Sequence, residues 1–305
     1  MPLRMDLGWQ SGNGERCSVN NIQKVGLVGY GYWGEKLGRT LDSLGVLKAY
    51  CDIKPGIIVA SSKSFYGDYS DMLRSENLDG IVISTPPETH YGVAMEALNE
   101  GKHIFVEKPM TTDYVQAVEL ENLALLMGVG LKVGHIYLHN PGIKLMPIPV
   151  GGARLYVKLL NVGGPPSEST RDLLWAGLPH ACSLALHFFP DWPHHIVVFE
   201  RNEKRIKVRL DYWNGSTAWL DVGDHTGVRT RSVELRVGNT RYYFSADEPN
   251  FLIALSGVDR KQDHVQINDD PLTLEMRDFL QGVGVDTMGS KVVKLIEEIR
   301  DAGKD

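Results

Sequence analysis

Residues 24–34 read KVGLVGYGYWG, and this stretch decides the fold of the N-terminal half. An apolar strand candidate, Val25 to Val28, leads into glycines with the spacing G-x-G-x-x-G and then into apolar residues at helical spacing. In that context Gly29 permits the tight turn, Gly31 lets the backbone approach a diphosphate, and Gly34 allows close packing of helix on strand. Because the first N–H groups of such a helix face an anion, the stretch predicts a dinucleotide-binding turn.

The second strand candidate ends at an acidic residue, which is expected roughly 20 residues after such a turn. Asp52 follows the apolar candidate Leu47 to Cys51 in LKAYCDIKP. A carboxylate at this place accepts hydrogen bonds from a ribose 2′-OH and repels a 2′-phosphate, which favours NAD over NADP. Lys54 weakens that preference without reversing it, so NADP stays open as the coenzyme. The predicted cofactor site also includes the aromatic residues between the glycines, the last of which is expected to pack in the core: Tyr30, Tyr32 and Trp33.

The pattern of the chain changes near residue 150. Before that point, strand candidates alternate with amphipathic helices, which predicts a doubly wound parallel sheet covered on both faces. After it, short strand candidates follow one another: ARLYVKLL, HIVVFER, RIKVRLDYW, STAWLDV, RSVELRV and TRYYFSA. One helix near 172–189 interrupts them, so the second half is predicted to be an α+β domain with a mainly antiparallel sheet. Two amphipathic C-terminal helices could pack on either part.

The chain of 305 residues is long enough for two ordinary domains. The predicted division is an N-terminal lead-in at 1–21, a dinucleotide-binding α/β domain at 22–141 and an α+β domain at 142–305.

Composition excludes several classes of function. A net charge of −6 with scattered Lys and Arg gives no basic footprint, so nucleic acid is not an expected partner. No apolar run approaches the roughly 20 residues that cross a bilayer, and the N-terminus lacks the apolar core of a secretory signal. Cys17, Cys51 and Cys182 have no metal-ligand spacing. We therefore expect no metal site, no membrane partner and a cytoplasmic protein.

A longer motif occupies residues 82–110, VISTPPETHYGVAMEALNEGKHIFVEKPM. It contains T-P-P-x-x-H at Thr85 to His90, a helix that ends in Gly-Lys, and Glu-Lys-Pro at 107–109. Together with KVGLVGYGYWG, this motif resembles the glucose-fructose oxidoreductase / inositol dehydrogenase family (Gfo/Idh/MocA), specifically from about residue 22 to 141. The resemblance implies an N-terminal Rossmann domain that carries NAD(P). It also implies a C-terminal α+β domain whose open antiparallel sheet supplies the substrate site and often the oligomer interface.

Two loops at the carboxyl ends of parallel strands hold the rest of the predicted site, since ligands of such sheets bind there. Predicted cofactor contacts on the first loop and the helix after it are Ser84, Thr85, Pro86 and His90. A packing role is the alternative for His90. Lys108 ends the next strand, and the resemblance implies that it is the catalytic or substrate-binding lysine, which stabilises charge on a substrate oxygen or passes a proton. Glu107 joins the predicted cofactor site and either orients Lys108 or closes the rim of the sheet.

The helix near residue 180 departs from the family pattern. Many members place an Asp four residues before a His, so that both side chains share one helix face. His180 aligns with that histidine, but the position of the Asp holds Ala176. Asp172 could substitute if the helix begins that early, whereas Pro179 favours a helix that starts near 179 and leaves Asp172 in a loop. Otherwise His180 works with Lys108 alone.

The sequence therefore predicts an NAD(P)-dependent oxidoreductase that acts on a hydroxyl or carbonyl of a polyol, sugar or sugar derivative, with Lys108 and His180 in proton transfer. Further candidates for substrate contact are Tyr137, Asn140 and Trp175. One alternative is a dinucleotide-binding sensor without catalysis, motivated by Ala176, and another is a reductase of a non-sugar carbonyl or imine. An open sheet has an apolar face that needs cover, which favours a homodimer or homotetramer.

Overall fold

The computed structural model describes residues 21–54, 63–161, 172–224, 229–247, 251–256, 259–264, 270–282 and 284–303. The predicted lead-in at 1–21 lies outside these ranges except for Asn21, and Cys17 lies outside them too. None of the helices within them has both the length and the apolar character to cross a membrane.

Six parallel strands form the first sheet: β1 (Val25–Val28), β2 (Leu47–Cys51), β3 (Ser64–Tyr66), β4 (Gly80–Ile83), β5 (His103–Glu107) and β6 (Leu131–Gly134). Their order is β3-β2-β1-β4-β5-β6, which is that of a doubly wound dinucleotide-binding sheet. This order confirms the α/β class predicted for the N-terminal half. It reverses direction between β1 and β4, so a crevice opens outside the carboxyl ends of these two strands.

Nine α-helices lie within the described residues: α1 (Tyr32–Ser43), α2 (Tyr69–Ser75), α3 (Pro87–Asn99), α4 (Tyr114–Met127), α5 (Pro141–Lys144), α6 (Leu173–Ala176), α7 (Leu178–Phe188), α8 (Pro271–Leu280) and α9 (Met288–Ala302). Local signals fix their ends. The Asp113 carboxylate accepts the N–H of Gln116 at 2.9 Å and begins α4, and Gly128, with a φ of +68°, ends it. Asp113 is thus the N-terminal cap of α4.

Eight strands form the second sheet: β7 (Arg154–Leu160), β8 (His195–Arg201), β9 (Arg205–Asp211), β10 (Thr217–Gly223), β11 (Thr230–Val237), β12 (Thr240–Ser245), β13 (Phe251–Ser256) and β14 (Asp259–His264). Their order is β14-β13-β12-β11-β7-β10-β9-β8, and only β7 and β10 pair in parallel among these strands. The predicted mainly antiparallel sheet is confirmed. Helix α7 packs on β7 and β10 and covers one face.

Two segments differ from the sequence prediction. The strand predicted for LKVGHIY ends at Gly134, because a 3-10 helix follows at Ile136–His139. The single helix predicted near 172–189 is two helices, α6 and α7, with Gly177 between them. Pro179 has no N–H to continue the hydrogen-bond ladder of α6, so a new helix begins there instead.

Three strands escaped the sequence analysis: β3, β13 and β14. Strand β14, DRKQDH, has no apolar residue, so hydrophobic alternation could not reveal it. It forms by backbone pairing with β13 instead.

The C-terminal helices divide between the two sheets, which answers a question that the sequence left open. Helix α8 packs on the first sheet, where Leu272, Met276 and Phe279 join the core beside β1. The Phe279 ring lies edge-on to Phe105, with 5.8 Å between centroids. Helix α9 bridges both parts. Val293 belongs to the core beneath the first sheet, while four other buried apolar residues of the helix join the core of the second: Val292, Leu295, Ile296 and Ile299.

Candidate functional site

In the turn between β1 and α1, Gly29 and Gly34 are packed closely against other atoms, whereas Gly31 faces open space. A Cβ added to Gly34 would lie 2.1 Å from the Gly29 carbonyl oxygen, and one added to Gly29 would lie 2.7 Å from the Ser84 carbonyl carbon. A Cβ added to Gly31 would meet no atom within 4 Å. Gly31 also begins α1 without a side-chain acceptor for the first N–H groups of that helix. These N–H groups and the space above Gly31 fit the diphosphate of a dinucleotide.

Asp52 lies directly after β2 and is fixed beside this turn. Its Oδ2 accepts the backbone N–H of Tyr30 at 2.7 Å, and its Oδ1 accepts the N–H of Lys54 at 2.8 Å. Each carboxylate oxygen has two acceptor lone pairs, so both can still accept a ribose hydroxyl. The backbone therefore holds this carboxylate in the position where the dinucleotide fold needs its acid.

The aromatic residues of the turn point in different directions. Tyr30 packs inward on Tyr50, with 5.4 Å between ring centroids, and Trp33 packs against the core beside β1. Core packing of Trp33 agrees with the sequence prediction. Tyr32 is 55% exposed and, with the exposed Pro86 across the crevice, is available to a ligand.

Hydrogen bonds join the loop after β4 to the glycine turn and to the loop after β5. The Ser84 hydroxyl donates to the Gly29 carbonyl at 2.8 Å. His90 is buried, with Nδ1 2.8 Å from the Pro109 carbonyl oxygen and Nε2 2.8 Å from the Thr85 carbonyl oxygen. Burial lowers the pKa of His90, so the ring is neutral and donates to one of these carbonyls at a time. These contacts favour the packing role of His90, which joins the loops after β4 and β5.

Glu107 is a buried carboxyl at the end of β5. The indole N–H of Trp33 donates to its Oε1, and the backbone N–H of Lys108 donates to its Oε2 at 3.2 Å. Burial raises the pKa of Glu107 to about 7, although the positive charge of Lys108 opposes the rise. Since the carboxyl group links β5 to α1, these contacts favour closure of the rim over orientation of the Lys108 amine.

Lys108 and His180 meet at the junction of α6 and α7. Lys108 Nζ donates to the Ala176 carbonyl at 2.9 Å, and His180 is in the first turn of α7. Burial, followed by the positive charge of Lys108, lowers the pKa of His180 well below its ordinary value, so the ring is neutral near pH 7. Its buried Nδ1 has no hydrogen-bond partner among the described residues. Asp172 does not replace the missing carboxylate, because it caps α6 by accepting the N–H of Leu174 at 3.0 Å.

A layer of buried ionisable groups lies behind Lys108, and the sequence analysis missed it. Both ring nitrogens of His135 and both carboxylate oxygens of Glu275 lack a hydrogen-bond partner within the described part of the chain. His139 Nε2 lies 3.9 Å from Glu275 Oε1. Burial lowers the pKa of His135 and of His139 to about 4, and burial with the neighbouring Glu107 raises the pKa of Glu275. The signal for Glu275 was its inward position on the apolar stripe of α8.

The three further substrate candidates have different surroundings. Tyr137 is buried, its ring centroid is 5.1 Å from that of His180, and burial raises its pKa to about 12. Asn140 is buried and caps α5 by accepting the N–H of Gly142 at 2.8 Å. Trp175 is half-buried and packs against the cores of both sheets. Tyr137 is the one of the three for which the described residues show a contact with His180.

Residues 23–135 match the model of the oxidoreductase family with an NAD-binding Rossmann fold, GFO_IDH_MocA. This segment is thus similar to the Gfo/Idh/MocA family. The family resemblance found in the sequence is thereby confirmed over the first sheet. Relatives with a similar segment include the uncharacterized oxidoreductase YdgJ of Escherichia coli K12, which is 36% identical over 124 residues, 37% of this chain and 34% of that protein.

A second relative is the inositol 2-dehydrogenase/D-chiro-inositol 3-dehydrogenase of Lactiplantibacillus plantarum. It is 33% identical over 110 residues, which are 33% of this chain and 31% of that protein. The matched segment thus spans about one third of the length of these curated relatives.

Solved structures of other dehydrogenases are similar over most of this chain. The UDP-N-acetylglucosamine 3-dehydrogenase GnnA from Acidithiobacillus ferrooxidans is similar with a TM-score of 0.82 at 20% identity, over 92% of this chain and 97% of that chain. A levoglucosan dehydrogenase in complex with NADH and levoglucosan is similar with a TM-score of 0.78 at 14% identity, over 92% and 96% of the two chains. These likenesses establish a common two-sheet fold.

Proposed function

We propose that this chain is an NAD(P)-dependent dehydrogenase that transfers a hydride between a nicotinamide and a hydroxyl-bearing carbon of a carbohydrate-like substrate. The observation that carries the proposal is the position of Lys108. Its amine lies at the carboxyl end of β5, 2.9 Å from the carbonyl that precedes the helix of His180. A cation and a neutral imidazole thus meet beside the crevice that the fold reserves for a dinucleotide.

The chain's own residues bind and orient the coenzyme. The N–H groups at the start of α1 and the open space at Gly31 receive the diphosphate. Asp52 accepts the ribose hydroxyls, which makes NAD the preferred coenzyme over NADP. When bound, the nicotinamide supplies the hydride chemistry, and the protein supplies position and charge.

Lys108 and His180 have different roles in the proposed reaction. The ammonium of Lys108 stabilises the negative charge that develops on the reacting oxygen of the substrate. His180, which is neutral because burial lowers its pKa, has an unprotonated ring nitrogen that accepts a proton. Tyr137 packs its ring against His180 and restricts the orientation of the imidazole.

Replacement of Lys108 by Met tests this function, with Lys102→Met as the matched control. Lys102 lies just before β5, at its other end, and its amine also donates to a carbonyl, that of Leu78 at 3.0 Å. We expect K108M to lose about 100-fold or more in turnover on the best substrate of a polyol and sugar panel while it still binds NADH. K102M retains wild-type turnover. Equal turnover by K108M and wild type would reject this role of Lys108.

A dinucleotide-binding sensor is the second candidate function, because Ala176 supplies a backbone carbonyl where many family members carry an Asp. Without a carboxylate, His180 lacks a partner that stabilises its charged form. Calorimetric titration with NADH, followed by turnover assays on the same panel, separates the two functions. Tight binding without turnover of any compound favours the sensor.

A further inference from the structure

Arg231 lies on the face of β11 whose other residues are apolar. Alternate residues of a strand share one face of the sheet, so Arg231 lies on the same face as Val233 and Leu235, both of which are fully buried. Its cross-strand neighbour is Leu159 of β7, which is also fully buried. A cation therefore extends from the row of core residues on the side of the sheet that α7 covers.

The guanidinium of Arg231 includes a buried donor that no described residue satisfies. Its Nε is buried and has no hydrogen-bond partner among the described residues. The two other arginines of this region differ: Arg229 lies 3.6 Å from the Asp247 carboxylate, and Arg236 is paired with Glu234 on the same strand. A buried donor without a partner is costly, so a ligand that supplies an acceptor there would be stabilised.

Arg231 lies on the side of the sheet that carries the proposed reaction site. It shares a cross-strand row with Leu159 of β7 and Val222 of β10, and a Cβ added to Gly177 would lie 2.2 Å from Cγ1 of that valine. Gly177 separates α6 from α7, the helix of His180. Lys108 adds a second cation at the end of α6, where Ala176 supplies no carboxylate to balance the two.

We propose that Arg231 binds an oxyanion of the substrate, so that the hydroxyl-bearing compound oxidised here carries a carboxylate or a phosphate ester. This inference rests on the proposed function, because it assigns the substrate class of the same site. The planar guanidinium presents Nε and a terminal nitrogen side by side, which matches the two oxygens of a carboxylate or phosphate. A neutral polyol offers the guanidinium only uncharged hydroxyl acceptors, which make weaker hydrogen bonds than an oxyanion does.

The test is a calorimetric titration of the purified full-length chain, with and without saturating NADH, with three small probes that share one carbon skeleton. These are glycerol, D-glycerate and glycerol 3-phosphate. We expect at least one anion to bind about tenfold or more tightly than glycerol. D-glycerate alone indicates a carboxylate substrate, and glycerol 3-phosphate alone indicates a phosphate ester. Equal affinity for all three probes would overturn the proposal.

Arg231→Gln is the decisive variant, and Arg236→Gln is the matched control on the opposite face of the same strand. The first is expected to lose the preference for anions, and the second to keep it. If Arg231→Gln does not fold, Arg231→Lys replaces it and is expected to bind the anions several-fold more weakly, since lysine lacks the planar fork. Unchanged anion affinity in the folded Arg231 variant contradicts the proposal. Anion preference is measured without turnover, so it stands or fails separately from the assay of K108M.

Discussion

The indole N–H of Trp33 donates to the buried carboxyl of Glu107 and thereby joins the first turn of α1 to the end of β5. The bond runs from α1, the helix proposed to receive the diphosphate, to the residue before Lys108. Because Trp33 also packs on the core beside β1, a change in the position of its ring would disturb that core. The glycine turn at 29–34 and the loop of Lys108 are thus linked through Glu107.

Trp33→Phe should destabilise the fold by about 1–2 kcal/mol, because a buried carboxylate loses a donor. The loss should be greater at pH 8 than at pH 6, since the pKa of Glu107 is about 7 and the carboxylate form needs the bond most. Urea unfolding at both pH values measures it. Trp192→Phe is the control, since Trp192 donates to Glu298, which is only half-buried, at 2.8 Å, and its loss should be smaller and independent of pH. Equal losses in the two variants would contradict this account.

Glu107 should make the protein less stable as the pH rises from about 4.5 to 7. Its folded-state pKa is raised from 4.5 to about 7, so the folded protein binds more protons than the unfolded chain in that window. Glu107→Gln removes this fall, and its stability relative to wild type should improve from pH 5 to pH 8 by on the order of 1–3 kcal/mol. The lowered pKa of His135, about 4, makes the protein more stable as the pH rises toward 6.5. This residue is present in both proteins, so its contribution cancels in the difference. A difference in unfolding free energy that does not vary with pH would show that Glu107 titrates normally.

Two glycines of the same turn should respond oppositely to Ala. Gly34→Ala should lose more than about 2 kcal/mol of stability, because the new Cβ would lie 2.1 Å from a backbone oxygen that cannot move aside. Gly31→Ala should leave the unfolding free energy unchanged, since its Cβ meets nothing within 4 Å. It should instead weaken NADH binding about tenfold or more, because the methyl enters the space of the diphosphate. Thermal unfolding and NADH titration check the pair, and wild-type NADH affinity in Gly31→Ala would place the diphosphate elsewhere.

Asp52→Asn should shift the ratio of NADH to NADPH affinity by about tenfold toward NADPH, because the neutral amide no longer repels a 2′-phosphate. Fluorescence titration with each coenzyme measures the ratio. Asp71→Asn is the control, since Asp71 is an exposed acid paired with Arg74 at 2.7 Å on α2. An unchanged ratio in Asp52→Asn would show that this carboxylate does not contact the ribose.

The chemical partners inside the site were beyond the reach of local patterns. His180 and Lys108 are 72 positions apart in the chain. They come to the same junction only through tertiary packing, in which α7 lies against the 3-10 helix and Lys108 donates to the carbonyl of Ala176. The same holds for Glu275, which looked like one polar residue on an amphipathic helix until α8 buried it near Glu107. Arg231 was one arginine in an alternating strand, and its missing partner becomes visible only when its neighbours are in place.

The sequence by itself determined the first sheet, the coenzyme turn and the strand-end loops, because each rests on signals within a few residues: glycine spacing, apolar runs, a cap or a proline. It also determined the mainly antiparallel character of the second sheet, through alternation along single strands. Tertiary structure decided which charges are buried, which are paired and how the last two helices divide between the sheets. Burial and pairing depend on residues far apart in the chain. They raise the pKa of Glu107 and leave the Nε of Arg231 without a hydrogen-bond partner among the described residues.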